Sequence, residues 1–270
     1  MMTKTENLKF YFFVLPVLII ALLACNLSRF TQQGNATTSK NSSSANKASD
    51  TSDSISTICN NAYFPVGPSV VRKYRVTYPK GMLSDREYTE SFSDLTDDTF
   101  AVNTDFGNVK AHINWKCSPD GLLATQYDNT VNMVKSGASA RVDTMESNGV
   151  SLPPEDRWKP GETWHAEYRV TETLNGPDGK QMGGGEGTVT QDGAIIGSES
   201  VTVPAGTFEA MKTELKTTVD ITVTMKGMSI PMKVPIDTTA YFAKGTGMIK
   251  SVTKTGAGGD ATSELLSISK

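Results

Sequence analysis

After residue 58 the chain alternates apolar and polar residues with a period of two in run after run, and turn dipeptides separate the runs. That is the pattern of antiparallel sheet with one buried face. The clearest hairpin is Phe100 to Trp115. With Gly107-Asn108 as a two-residue turn, Phe106 pairs with Val109, Thr104 with Ala111, Val102 with Ile113 and Phe100 with Trp115. All eight share a face, and on the other face Asp105 meets Lys110. A slip of one residue would put the apolar groups in water. Cys117, two residues beyond Trp115, then points to the core side.

A second hairpin runs from Val219 to Ile236 about Lys226-Gly227. It pairs Met225 with Met228, Val223 with Ile230, Ile221 with Met232 and Val219 with Val234. Pro231 faces Thr222 and Pro235 faces Thr218 in non-hydrogen-bonded pairs, so both prolines turn their missing N–H away from the partner strand. Met228–Ile236 is therefore expected to be a sheet edge. Further turns fall at Pro79-Lys80-Gly81, Pro119-Asp120-Gly121, Gly176-Pro177-Asp178-Gly179 and Asp192-Gly193. Residues 128–160 carry the weakest pattern, with a short helix expected over Asn129–Val134. No long amphipathic helical pattern follows residue 30. The fold class expected is all-β, an antiparallel meander forming a strongly curved sheet or partly closed barrel.

Residues 67–77 (GPSVVRKYRVT) and 161–171 (GETWHAEYRVT) share Gly and Tyr-Arg-Val-Thr at identical offsets, 94 residues apart. The repeat divides the body into candidate halves, 58–160 and 161–270, each opening on the same strand.

The N-terminus sets the compartment. Lys4 and Lys9 precede an apolar run of fifteen residues from Phe10 to Ala24, which contains Pro16 and ends at Cys25. The run is short for a spanning helix, which needs roughly 20 apolar residues, and its layout is that of an export signal. Leu22-Leu23-Ala24-Cys25 resembles the lipobox of bacterial lipoproteins. The resemblance implies cleavage between Ala24 and Cys25 by the lipoprotein processing machinery and a diacylglyceryl group on Cys25. That lipid would hold the protein on the extracytoplasmic face of the cell membrane or outer membrane without spanning it. Residues 1–24 are then a signal peptide.

Residues 25–57 form the lipidated start and a tether. Of the twenty-seven residues from Thr31 to Thr57, eighteen are Ser, Thr, Asn or Gln and none is aromatic, too little apolar surface to fold. As a coil the segment spans roughly 30 Å. Residues 58–270 are the body, a single β domain. Its two cysteines, Cys59 and Cys117, are expected to form a disulfide in an oxidising compartment.

Composition narrows the function classes. Lys+Arg 26 against Asp+Glu 29 gives a net charge of −3 with no basic block, which argues against a nucleic-acid partner. Only two histidines occur, His112 and His165, and neither has Cys, His or acidic residues at ligand spacing, so no metal or other cofactor is expected. Gly137-Ala138-Ser139-Ala140-Arg141 fails the nucleophile elbow at its last position. Gly183-Gly184-Gly185-Glu186-Gly187 lacks the Lys-Ser/Thr of a phosphate loop and reads as a loop or a strand without side chains. Asp97-Asp98 and Glu155-Asp156 fall in loops as solvated charge. A hydrolase using such carboxylates is the enzymatic alternative to the expected non-catalytic domain.

Trp115, Trp164, Tyr168, Met225, Met228 and Met232 are the candidate lining of a site for an apolar small molecule, because methionine adapts to irregular apolar ligands. Core packing accounts for the same residues. A structural or adhesive envelope lipoprotein without ligand is the other alternative. Finally, Tyr63-Phe64-Pro65-Val66, Gly161-Glu162-Thr163-Trp164, Val203 to Ala210 (VPAGTFEA) and Tyr241 to Lys250 (YFAKGTGMIK) resemble the TapB-like family of exported bacterial β proteins. The resemblance covers most of residues 59–253, with Val70 where the family commonly has Trp. It implies an exported β domain, often lipid-anchored, and brings no catalytic residues. The same glycines and proline also serve as turn formers.

Overall fold

The computed structural model describes residues 58–80, 84–107, 110–126, 129–133, 138–225, 227–255 and 259–270. The signal segment, Cys25, the tether and Val109 of the first hairpin lie outside the described residues. Within them the alternating runs become thirteen strands: β1 (Val71–Thr77), β2 (Arg86–Ser93), β3 (Thr99–Asp105), β4 (Lys110–Ser118), β5 (Gly121–Ala124), β6 (Asn129–Met133), β7 (Ala138–Gly149), β8 (Thr163–Asn175), β9 (Gln181–Val203), β10 (Gly206–Met225), β11 (Met228–Ala243), β12 (Gly247–Thr255) and β13 (Gly259–Ser269). One 3-10 turn, Glu155–Arg157, is the other regular element among the described residues. Where a helix is expected over Asn129–Val134, residues Asn129–Met133 form β6, which pairs with β7 through Val131 and Ala140, and Val134 lies outside the described residues. The β-branched Thr130 and Val131 favour extended chain, and the neighbouring strand satisfies their backbone groups.

The sheet order runs from β5 back to β1, crosses to β13 and continues down to β6. Every neighbouring pair is antiparallel. Counting directions outward from β1, the two rim strands β5 and β6 run the same way, so they cannot continue the antiparallel ladder. The seam is closed differently. Leu122 in β5 exchanges both backbone hydrogen bonds with Leu152, just past β7, at 2.9 and 3.0 Å. The result is a nearly closed barrel.

Strand direction also sorts the turns into two ends. The β2–β3, β4–β5, β7–β8, β9–β10 and β11–β12 connections lie at the end where β1 begins, together with residues 58–70, and this end is plugged. Cys59 is disulfide-bonded to Cys117 of β4, with Cα atoms 5.1 Å apart. Asn61 Nδ2 donates to Pro153 O at 2.9 Å, and Gly245 N donates to Ala62 O at 2.6 Å. Tyr63 stacks on Trp158 at 4.4 Å, Trp158 meets Phe242 edge-on, and Phe64 packs against Phe92, Phe100 and Trp115. These rings fill the floor of the barrel.

Both predicted hairpin registers are present. Phe100 pairs with Trp115, Val102 with Ile113 and Thr104 with Ala111, with Lys110 Nζ 3.2 Å from Asp105. Met225 pairs with Met228, Val223 with Ile230, Ile221 with Met232 and Val219 with Val234. β12 joins β11 only over Thr238–Ala243, so Met228–Asp237 is the open edge the prolines require. Pro231 and Pro235 remove N–H groups that would otherwise point off this edge. Replacing both with Thr is expected to raise the apparent mass in light scattering as concentration increases, relative to the parent protein.

Beyond the plug, β7 to β11 bury a second apolar face that includes Tyr168, Val170, Leu174, Val219, Ile221 and Val223. The glycine run is part of β9, where Gly183, Gly185 and Gly187 face Leu174, Glu172 and Val170. A Cβ on Gly187 would lie 2.0 Å from Asp220 O of β10, so the tight approach of these two strands needs glycine there. The repeated motif also has a shared role. Tyr74 and Tyr168 are both fully buried, and their hydroxyls bond Met248 O and Ser151 Oγ. Arg75 and Arg169 point outward to glutamates of the adjacent strand.

Candidate functional site

Above the aromatic floor the barrel holds a cavity of about 260 Å³, reached by side chains from β1 to β4 and β9 to β13. At ~30 Å³ per water this is room for roughly eight or nine waters. Its walls differ. Val102 and Ile113 of β3 and β4, with Leu152 of the seam and Leu215 of β10, give apolar surface. β2, β11, β12 and β13 turn hydroxyls inward. Tyr88 bonds Ser263 at 2.9 Å and Thr238 bonds Thr253 at 3.0 Å, with Ser251 in register beside Ser263. Alternation explains both walls, since each strand offers every second residue to the interior.

One charged pair stands at the base of the polar wall. Arg72 is fully buried on β1 between Val70 and Tyr74. Its Nε donates to Thr246 O at 2.8 Å and its other nitrogens to Pro65 O and to Glu90 Oε1, the last at 2.5 Å. The guanidinium also lies over the rings of Phe64 and Phe92. A Cβ on Gly247, whose φ is +95°, would meet it at 2.9 Å. Arg72 is thus spent on structure, while Glu90 faces the cavity. Burial, with the Glu90 charge nearby, raises the Tyr74 hydroxyl well above the usual tyrosine range, so it remains a neutral donor to Met248 O.

Of the six residues read from the sequence as ligand-lining, the structure places only Trp115 on this cavity. It is stacked against Phe64 and Phe100, and its Nε1 is buried with no hydrogen-bond partner. Trp164 packs in the floor with its indole over Gly193, and Tyr168 belongs to the second apolar face. Met225, Met228 and Met232 lie along the β10–β11 hairpin beyond the cavity. Met232 packs on the second face, and Met228 is 58% exposed.

The residues that sequence reasoning missed are Tyr88, Glu90 and Arg72. Their signal was phase: Arg72 occupies an inward position of an alternating strand, and its register partner is Glu90. Asp97, Asp98, Glu155 and Asp156 are exposed in turns at the plugged end. His112 and His165 are exposed beside Asp94 and Asp192.

The model of the DUF3108-like family matches residues 100–259, more than half of the chain. The chain belongs to the DUF3108-like family. This family, and not the TapB-like one, is the one matched. Its segment runs from β3 to the first residue of β13 and so contains Trp115, Thr238, Ser251 and Thr253, while Arg72, Tyr88, Glu90 and Ser263 lie outside it. No curated protein matches the chain. Two solved structures are similar. A candidate lipoprotein from Parabacteroides distasonis is 12% identical with a TM-score of 0.45, covering 77% of this chain and 98% of its own. A candidate exported protein with a YmcC-like fold from Bacteroides fragilis is 11% identical with a TM-score of 0.43, covering 78% and 100%.

The DUF3108-like segment also contains a buried acid. Glu172 of β8 lies among Val170, Leu174 and the β9 glycines, and its Oε2 has no hydrogen-bond partner. Burial raises its pKa from 4.5 to about 7. The unfolded chain therefore releases this proton earlier than the folded one, and stability falls as pH rises from about 4.5 to 7. At ~1.4 kcal/mol per unit the loss is about 3 kcal/mol. Glu172→Gln is expected to remove this slope, so that urea midpoints at pH 5 and pH 8 converge. An unchanged slope would show that Glu172 is not its source.

Proposed function

We propose that this protein is a lipid-anchored carrier on the extracytoplasmic face, whose barrel binds a small, largely apolar molecule. The cavity of about 260 Å³, which combines an apolar wall with a few convergent hydroxyls, carries the binding half of this reading, since that combination is the usual form of a small-molecule site. An adhesive or purely structural domain would favour a filled interior. The lipobox-like Leu22-Leu23-Ala24-Cys25 supports the anchor, and the Cys59–Cys117 disulfide fits an oxidising compartment. Partners on this reading are the bilayer, the lipoprotein processing machinery and the ligand.

Native mass spectrometry of residues 58–270 purified from the host tests the binding half. A discrete adduct lost on solvent extraction is expected, and a clean unliganded mass refutes it. Palmitate labelling tests the anchor. The parent should label and resist carbonate washing, whereas Cys25→Ser should do neither.

A further inference from the structure

We infer that the cavity selects a neutral amphiphile, an alcohol or hydroxy-ester on a short hydrocarbon chain, over a carboxylic acid of the same chain. The inference rests on the binding reading above and names its ligand class. The cavity presents a carboxylate and no cation. Glu90 lines it, and no Lys, Arg or His does among the described residues. The guanidinium that pairs with Glu90 is fully buried behind it, with donors committed to Thr246 O, Pro65 O and Glu90. A ligand carboxylate would thus lie near Glu90, whose counter-ion is already engaged, with no cation on the cavity wall to pair with it among the described residues.

A hydroxyl fits on both counts. It can donate to Glu90, and it can accept from a hydroxyl of the polar wall such as Ser251. The surrounding hydroxyl pairs, Tyr88–Ser263 and Thr238–Thr253, can each reverse donor and acceptor to suit it. Val102, Ile113 and Leu152, with Leu215 beside Thr238, receive the hydrocarbon.

The test uses residues 58–270, which hold all thirteen strands and the disulfide, and displacement of a bound hydrophobic dye at neutral pH. Octanol and octanoyl glycerol should displace it saturably, with octanoate at least about tenfold weaker. Thr238→Val keeps the side-chain shape and removes one hydroxyl of the cavity wall, so it should weaken octanol about five- to tenfold, the worth of one hydrogen bond. Ser251→Ala serves as a second variant, with an expected loss of about threefold, and thermal melts show that each variant is folded. Octanoate binding as well as octanol, octylamine binding better than both, or folded variants that bind octanol unchanged would overturn the ligand class while leaving the carrier reading intact. Absence of saturable displacement by every probe, together with a clean native mass, removes both.

Discussion

Replacing Arg72 with Met is expected to destabilise the barrel by about 3–5 kcal/mol, and adding Glu90→Leu should recover most of that loss. The asymmetry comes from burial. Arg72 is fully buried and the Glu90 side chain is 14% exposed, so removing the cation leaves a carboxylate without its counter-charge in a space that solvates it poorly. The carbonyls of Pro65 and Thr246 also lose their donor. When both charges go, only packing and the two carbonyls remain to be satisfied. Urea denaturation of the single and double variants measures the difference. Equal losses would mean that the guanidinium acts through its stacking on Phe64 and Phe92 and not through the ion pair.

Opening the Cys59–Cys117 disulfide should cost about 4 kcal/mol, from the chain entropy of a cross-link spanning 58 residues. Both cysteines are buried in the floor beside Phe64 and Trp158. Without the bond the plug is held only by its rings and a few hydrogen bonds, among them Asn61 to Pro153 and Gly245 to Ala62. Cys59→Ala/Cys117→Ala should therefore melt well below the parent and be cut early by protease within residues 58–70. The parent in strong reductant should reproduce both effects. A variant with the parent's melting temperature would show that the aromatic contacts alone secure the plug.

Much of the architecture was legible because it is local. The Phe100–Trp115 and Val219–Ile236 registers follow from alternation about a two-residue turn, and Pro231 with Pro235 identified an edge before any neighbour was known. What sequence could not reveal depends on distant partners. β1 pairs with β13, and Leu122 meets Leu152 across the seam, so nothing near Arg72 announces which residues surround it. The methionines misled for the same reason. They alternate correctly on their hairpin, but β10 and β11 run on past the last residue of β12, which leaves Met225 and Met228 outside the cavity. The stretch around Asn129 was misread because its strand character comes from pairing with β7, and its own pattern is weak.

The two ends of the body meet in the middle of the sheet, where Val71 lies opposite Ser269. As the chain is synthesised, β1 therefore has one flank without its partner until the last strand, β13, has been made. A chain truncated before Gly259 would leave β1 with an unmatched flank that invites proteolysis or clumping.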